Sequence, residues 1–363
     1  MNISAVIDDA VKYIHTSEEH KRSISSKLFP LKNPEKKFSC RGVPESNLVF
    51  PVSDWLPVGL IGGVDSGFVA KRLSSVDLVL IRAVGVVFDY ADGKVIGSHY
   101  YPSYFQFPEP HLSNSALEED EAQQSKSLMR LKEEVKASKK IIETHSPKYC
   151  FIDGSIIPQY QDKPRNDSAL SDNYIDIIKE FESFYAVAEK HNTTLIATVE
   201  DSRGSRFRQI LQEEILYNNM LVDPKKLDGF FDSSFLEYFL NFKERSAAFT
   251  YTKNIKQHPV LQDFSKDWSE NIYGFYLKPS IFDKPLRVEF ICKENVGKKA
   301  DEIASVVFAL SSLHREYAYP SILIEADMRA KLRPDEIEII YNKIMDKLGA
   351  SVKLKMRRDN RPF

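Results

Sequence analysis

The chain has 363 residues, 42% of them hydrophobic, 12% aromatic and 28% charged. That length suits about two domains, or one large one with insertions, and the composition is that of a packed core rather than a disordered chain. Fifty basic against 52 acidic side chains leave a net charge of −2, which excludes a globally basic nucleic-acid binder but leaves room for a local basic groove.

Cys40, Cys150 and Cys292 lie far apart with no CxxC pair, which argues against a disulfide framework or a thiolate zinc site and fits a reducing compartment. The first 22 residues are of mixed polarity and lack the apolar stretch and small-residue cleavage site of a secretory signal. The most apolar run, Leu78–Phe88, is interrupted by Arg82 and is far short of the roughly 20 residues of a membrane span. A soluble cytoplasmic protein with no membrane contact is expected.

Residues 1 to about 50 read as an accessory arm. Ile3, Val6, Ile7, Val11 and Ile14 recur at helical spacing, followed by a polar stretch rich in Lys, Ser and Pro. Such a helix packs either on a partner or on its own domain. Residues 51–363 read as the main domain.

Gly59–Gly67 has the texture of a short buried strand carrying one carboxylate, Asp65. Leu78–Tyr90 is strongly β-branched, and Ala91–Lys94 turns it into Val95–Tyr101, which predicts a hairpin. The Pro-rich stretch Tyr101–His111 is expected to be a loop. Leu117–Thr144 is free of Pro and places Leu128, Leu131, Val135 and Ile142 on one helical face. Tyr149–Ser155 is the next strand, followed by helix Tyr174–His191, strand Thr194–Val199 and helix Arg206–Tyr217. Strand-like runs at Ala247–Thr252, Ile272–Leu277 and Leu286–Cys292 precede helices at Ala300–Glu316, Ile322–Leu332 and Asp335–Leu348. The order predicts an α/β protein: a mixed sheet with an antiparallel hairpin first, later strands joined by helical crossovers, and additional C-terminal strands and helices.

The sequence has no Walker loop, GxGxxG, HExxH or GxSxG, and its eight histidines show no paired metal-binding spacing. The carboxylates are more informative. Asp65 and Asp153 each end an apolar strand and precede small residues, Ser66-Gly67 and Gly154-Ser155. Ligands gather at the carboxyl ends of strands in open α/β sheets. Two such carboxylates on neighbouring strands repel unless a cation holds them, and oxygen-only ligands select hard ions such as Mg²⁺ or Mn²⁺. Either Asp alone is equally well a turn former or a helix cap; the matched pair favours a metal.

Helical phase places Glu133 outward and Glu134 at the margin of the buried stripe, with Arg130 at i−4 to orient it. Asp327 follows the apolar run Ile322–Ile324 between the small residues Ala326 and Ala330. Asp201 closes the Thr194–Val199 strand, as a catalytic group or as a helix N-cap. Arg203, Arg206 and Arg208 form a local basic cluster suited to phosphates.

A strand ending in Asp, a hairpin, a Glu-bearing helix and a strand ending in Asp-Gly-Ser, followed by a late helix with one more ligand-like residue, form the ribonuclease H-like pattern. The arrangement resembles the NurA nuclease family. The matching pieces are Val64-Asp65-Ser66-Gly67, the Arg130/Glu134 helix leading into Phe151–Ser155, Glu200–Arg203, and Tyr319-Pro320 followed by Ala326-Asp327. They span residues 59 to about 332. Two positions depart from the family pattern: Glu200 stands where Lys commonly precedes Asp-Ser-Arg, and Asp327 stands where His is frequent.

The resemblance implies a Mn²⁺-dependent nuclease acting on single-stranded DNA and on DNA ends from 5′ to 3′. It also implies a homodimer that works with the hexameric HerA translocase on double-strand breaks. Asp65, Asp153, Glu134 and Asp327 would then share two divalent ions, Mn²⁺ or Mg²⁺, with Tyr319 also at the site. A non-catalytic ribonuclease H-like subunit that binds DNA or a partner ATPase is the alternative. A sugar or acetate kinase-like protein also opens on Asp-Gly at a strand end, but its glycine-rich phosphate loops are not evident here.

Overall fold

The computed structural model describes residues 3–32, 39–114, 117–218, 221–349 and 356. The main elements in chain order begin with helix α1 (Ile3–Leu28) and strands β1 (Val49–Pro51), β2 (Gly59–Arg72), β3 (Val76–Ala91), β4 (Lys94–Tyr101) and β5 (Glu109–Asn114). There follow α2 (Glu119–His145), β6 (Tyr149–Asp153), α3 (Ser171–Lys190), β7 (Thr194–Val199), α4 (Arg206–Ile210) and α5 (Asp232–Phe239). The chain continues with β8 (Glu244–Ser246), β9 (Phe249–Thr250), α6 (Lys266–Ser269), β10 (Ile272–Leu277) and β11 (Leu286–Ile291), then α7 (Val296–Ser311), α8 (Ser321–Ala330) and α9 (Pro334–Leu348).

The chain folds as two compact units. One comprises Pro57–Ala197, Lys256–Ser269 and the chain from Ser321 onward. Its strand order is β7-β6-β2-β3-β4, with β5 on β3. β2, β3 and β4 form an antiparallel meander, and β6 joins β2 in parallel. This is the expected mixed sheet, antiparallel first and parallel after a helical crossover. Helix α2 makes that crossover. Its buried stripe includes Leu128, Leu131, Val135 and Ile142, and Ser146 in the left-handed conformation ends it just before Pro147. Leu73, Leu78 and Leu80 bury Ile337 and Tyr341 of α9.

The other unit comprises the chain up to Leu56, Thr198–Ile255 and Glu270–Pro320. Its strand order is β1-β8-β10-β11, all antiparallel, with β9 on β10. Its core gathers Ile24 and Leu28 of α1 with Phe207, Phe235, Phe239 and Phe249 among others. The N-terminal helix runs on to Leu28, longer than the apolar stripe suggested, because its last turns bury Ile24 and Leu28. Residues 33–38 of the polar stretch behind it lie outside the described residues.

Two readings are corrected. The expected loop Tyr101–His111 already contains the start of β5, whose pairing runs Ile81↔Glu109 to Val76↔Asn114. Pro110 is tolerated there because β5 is bonded on one side only. Helix Arg206–Tyr217 keeps α-helical bonding only to Ile210 and continues as a π turn, Leu211–Ile215. No described helix is long and apolar enough to cross a membrane.

Candidate active site

Strand β2 does not end at Asp65, as the sequence suggests; it runs to Arg72. What ends there is the parallel pairing. Its last partners are Val64 and Ile152, and β6 stops at Asp153. The next residue on each strand is Asp65 and Asp153, and partners in parallel register send their side chains to the same face. Gly154, at φ +88°, then takes the backbone off the strand in a conformation that only glycine adopts freely.

Side chains alternate along β2, so Gly63, Asp65 and Gly67 share one face and Gly62, Val64 and Ser66 the other. Helix α8 covers the first face. A Cβ on Gly63 would lie 2.7 Å from Ile322 Cγ1, and one on Gly67 would lie 2.7 Å from the Ala330 carbonyl oxygen. The two glycines let α8, which carries Asp327, approach the strand on either side of Asp65. Helix α2 covers the second face, where a Cβ on Gly62 would meet Ile141.

On that second face Glu134 is buried. Its Oε2 accepts a hydrogen bond from Ser66 Oγ and one from Arg130 Nη1 at 2.8 Å. Arg130 Nη1 also donates to Ser66 Oγ at 3.1 Å. The predicted Arg130–Glu134 pair is thus formed, with Ser66 as an unforeseen third member. The Ser66 amide donates to Asp65 Oδ1 at 2.6 Å.

Electrostatics ties the four carboxylates together. Burial, then the charges of Asp153 and Glu134, push Asp65 up from 3.8 to about 8; the Ser66 amide opposes this and Asp327 adds to it. Glu134 is raised as well, chiefly by burial, against the pull of Arg130 and Ser66. Asp153 is half-buried and Asp327 exposed. The donor set is all hard oxygen with one nearby guanidinium, so negative charge is in excess. That fits a divalent cation of the Mg²⁺ or Mn²⁺ type. The set is open: among the described residues, the one group of three metal-ligating side chains whose ligand atoms all lie within 4.8 Å of one another is elsewhere, at Glu109, His111 and Glu133.

The remaining predicted residues lie in the other unit, and several differ from expectation. Arg206 is buried, donating from Nε to the Thr250 carbonyl and from Nη2 to Thr250 Oγ1, each at 3.3 Å. Arg208 is half-buried and donates to Gln212 Oε1 at 2.9 Å. Only Arg203 of the expected basic cluster is exposed, because residues 206 and 208 leave a short helix on sides that pack inward.

Asp201 is exposed and does not cap α4, which begins at Arg206. That cap comes from Asp232, whose carboxylate accepts from the Phe207 and Arg208 amides at 3.0 and 2.8 Å. Burial pushes Asp232 up to about 6 against those bonds. Nothing near residue 206 in the sequence marks Asp232. Tyr319 is buried, and its hydroxyl donates to the Thr198 carbonyl at 3.0 Å.

Sequence reading also missed a groove along the end of α8. Tyr104, Phe105 and Phe107 line it opposite Met328, Arg329 and Lys331, around a cavity of about 570 Å³. Phe105 and Phe107 are 81% and 88% exposed. Arg329 stacks over the Tyr104 ring at 3.9 Å. The run of exposed rings Tyr104, Phe105 and Phe107 in the Pro-rich stretch was the available signal; the cations come from a distant segment.

An antiparallel meander joined in parallel by a crossover strand, with carboxylates gathered where the parallel pairing ends, defines a ribonuclease H-like protein. The chain belongs to the NurA family: the family model described as the NurA domain matches residues 59–332. Among solved structures, the NurA nuclease from Sulfolobus solfataricus is similar at 14% identity and a TM-score of 0.57, over 96% of each chain. A NurA bound to dAMP and manganese aligns at 11% identity and a TM-score of 0.47 over 99% of each chain. Human ENDOV aligns at 10% identity and 0.34, over 79% of this chain and 87% of its own. No curated protein matches the sequence.

Proposed function

We propose that this chain is a divalent-metal-dependent DNA nuclease, a phosphodiester hydrolase whose ions are held by Asp65 and Asp153 and completed by Glu134 and Asp327. The observation that carries the proposal is the placement of Asp65 and Asp153 on neighbouring strands just where the parallel β2–β6 pairing ends. Divalent ions held by these carboxylates would supply activation of an attacking water and charge stabilisation of the leaving oxygen. The chain's own residues supply the frame. Gly63 and Gly67 bring α8 onto the strand, while Arg130 and Ser66 fix Glu134. No protein nucleophile is required.

The groove lined by Tyr104, Phe105, Phe107 and Arg329 favours a single strand over an intact duplex. Unstacked bases lie on the rings of Phe105 and Phe107, and phosphates on Lys331 and Arg333. Arg203, exposed on its own unit, is a separate candidate phosphate contact. The family resemblance supports Mn²⁺ as the ion, 5′ to 3′ exonuclease and single-strand endonuclease activity, and DNA end processing in repair. It likewise supports a homodimer working with a HerA-type hexameric ATPase. The outer half of α1, where Val6, Ile7, Val11 and Ile14 are 49–59% exposed, is an apolar stripe available to either partner.

The test is digestion of end-labelled single-stranded and duplex DNA by the purified protein with Mn²⁺, Mg²⁺ or EDTA. Cleavage that requires the metal, is stopped by EDTA and is faster on the single strand supports this reading. Binding without cleavage under every condition supports the non-catalytic alternative, which the departures at Glu200 and Asp327 favour.

A further inference from the structure

Strand β5 carries Glu109, His111 and Ser113 on one face, since side chains alternate along a strand. That face is turned to α2: Ser113 Oγ lies 3.3 Å from Ser125 Oγ of the helix. Two turns further along α2, Glu133 lies over the other two residues. One ligand atom from each of Glu109, His111 and Glu133 lies within 4.8 Å of the other two. A second observation points the same way. The Nε2 of His111 is buried and has no hydrogen-bond partner, a costly state for an imidazole nitrogen.

Lys136 bonds to the group, its Nζ donating to Glu133 Oε2 at 3.1 Å. Its side chain is 57% exposed and free to swing into water. A small cavity of about 30 Å³ lies beside Glu109 and Glu133, with Arg82 and Lys136 also on its wall.

We propose that Glu109, His111 and Glu133 form a second metal site, separate from the carboxylates around Asp65, which takes a first-row transition ion of the Zn²⁺ or Mn²⁺ type. Two carboxylates and an imidazole make a mixed oxygen and nitrogen set. Mg²⁺ and Ca²⁺ prefer oxygen alone, and thiolate-loving ions find no sulfur here. The bound ion ties the edge strand β5 to α2 one residue before Glu134. Its role is to brace the helix that presents Glu134.

The experiment is calorimetric titration of Zn²⁺, and separately Mn²⁺, into the full-length Asp65→Asn/Asp153→Asn protein, in which the principal carboxylates of the first site are gone. One saturable site per chain is expected, with affinity falling at least about tenfold on adding His111→Ala or Glu109→Gln. Glu109 is exposed, so Glu109→Gln reads the site even if His111→Ala disturbs folding. Absence of a saturable site, or an affinity that neither added substitution changes, overturns the proposal. Because this binding is measured in a protein lacking Asp65 and Asp153, its failure leaves the nuclease reading standing, and the failure of that reading leaves this site standing.

Discussion

Glu133 and Glu134 are consecutive on α2 and diverge completely: Glu134 is buried against Ser66 and Arg130, while Glu133 is half-buried and paired with the exposed Lys136. Successive helical positions are about 100° apart, which is enough to put one carboxylate beside the Asp65 cluster and the other beside His111.

Glu134→Gln is therefore expected to reduce Mn²⁺-dependent DNA cleavage by roughly a hundredfold, as loss of a ligand or its support does. Glu133→Gln at saturating Mn²⁺ is expected to cost far less. Steady-state cleavage rates of the two variants check this, and equal losses would contradict it.

Metal binding should be linked to pH through Asp65. Its carboxyl titrates near 8 in the folded chain against 3.8 ordinarily, so the folded state holds the proton more tightly. The stability this provides is complete below the unfolded pKa and is lost as pH rises through the folded one. The metal-free protein thus loses stability from this group across that window, and an ion that displaces the proton restores it. The rise in melting temperature on adding Mn²⁺ should be larger at about pH 8 than at about pH 6. An equal rise at both would contradict the assignment.

Much of this arrangement is legible in the sequence, and the illegible parts have physical causes. The β-branched hairpin and the amphipathic α2 announce themselves through periodicity. The extension of β2 beyond Asp65 does not, because Ser66–Arg72 mixes polar and apolar residues on both faces. β5 is hidden by Pro108 and Pro110, which a central strand would not accept. The spacing of Gly63 and Gly67 about Asp65 was readable as a close-approach signal only once a helix was known to cross there. Arg206 reads as surface charge, since arginine seldom lies in a core; its burial depends on Thr250, distant in sequence.

The DNA path divides into separable contributions. Phe105→Ala with Phe107→Ala should weaken single-stranded DNA binding by about 1–3 kcal/mol per stacked base and leave duplex binding nearly unchanged. Arg203→Ala should reduce the salt slope of binding by about 1. Arg206→Ala should instead destabilise the fold by about 1–3 kcal/mol. Filter binding across a salt series and thermal melts check these, and a stable Arg206→Ala protein with altered salt slope would restore the arginine cluster as a phosphate surface.

Truncation should distinguish the two halves of α1. Removing residues 1–14 takes the exposed stripe but keeps Ile24 and Leu28 in the core, together with the 2.6 Å bond from Tyr238 to Glu18. The shortened protein should remain folded and lose dimerisation or binding to a HerA-type ATPase. Sedimentation and pull-down indistinguishable from the full chain would make the stripe a plain solvent-facing helix.

The central claim is that Asp65 and Asp153, side by side where the parallel pairing ends, hold the ions that cleave DNA. Its most direct test is Mn²⁺-dependent cleavage of single-stranded DNA by Asp65→Asn and Asp153→Asn, each verified as folded. Amide for carboxylate keeps the shape and removes the anionic ligand. Each is expected to lose more than about a hundredfold in rate while still binding DNA; near-normal cleavage by either variant would contradict the account.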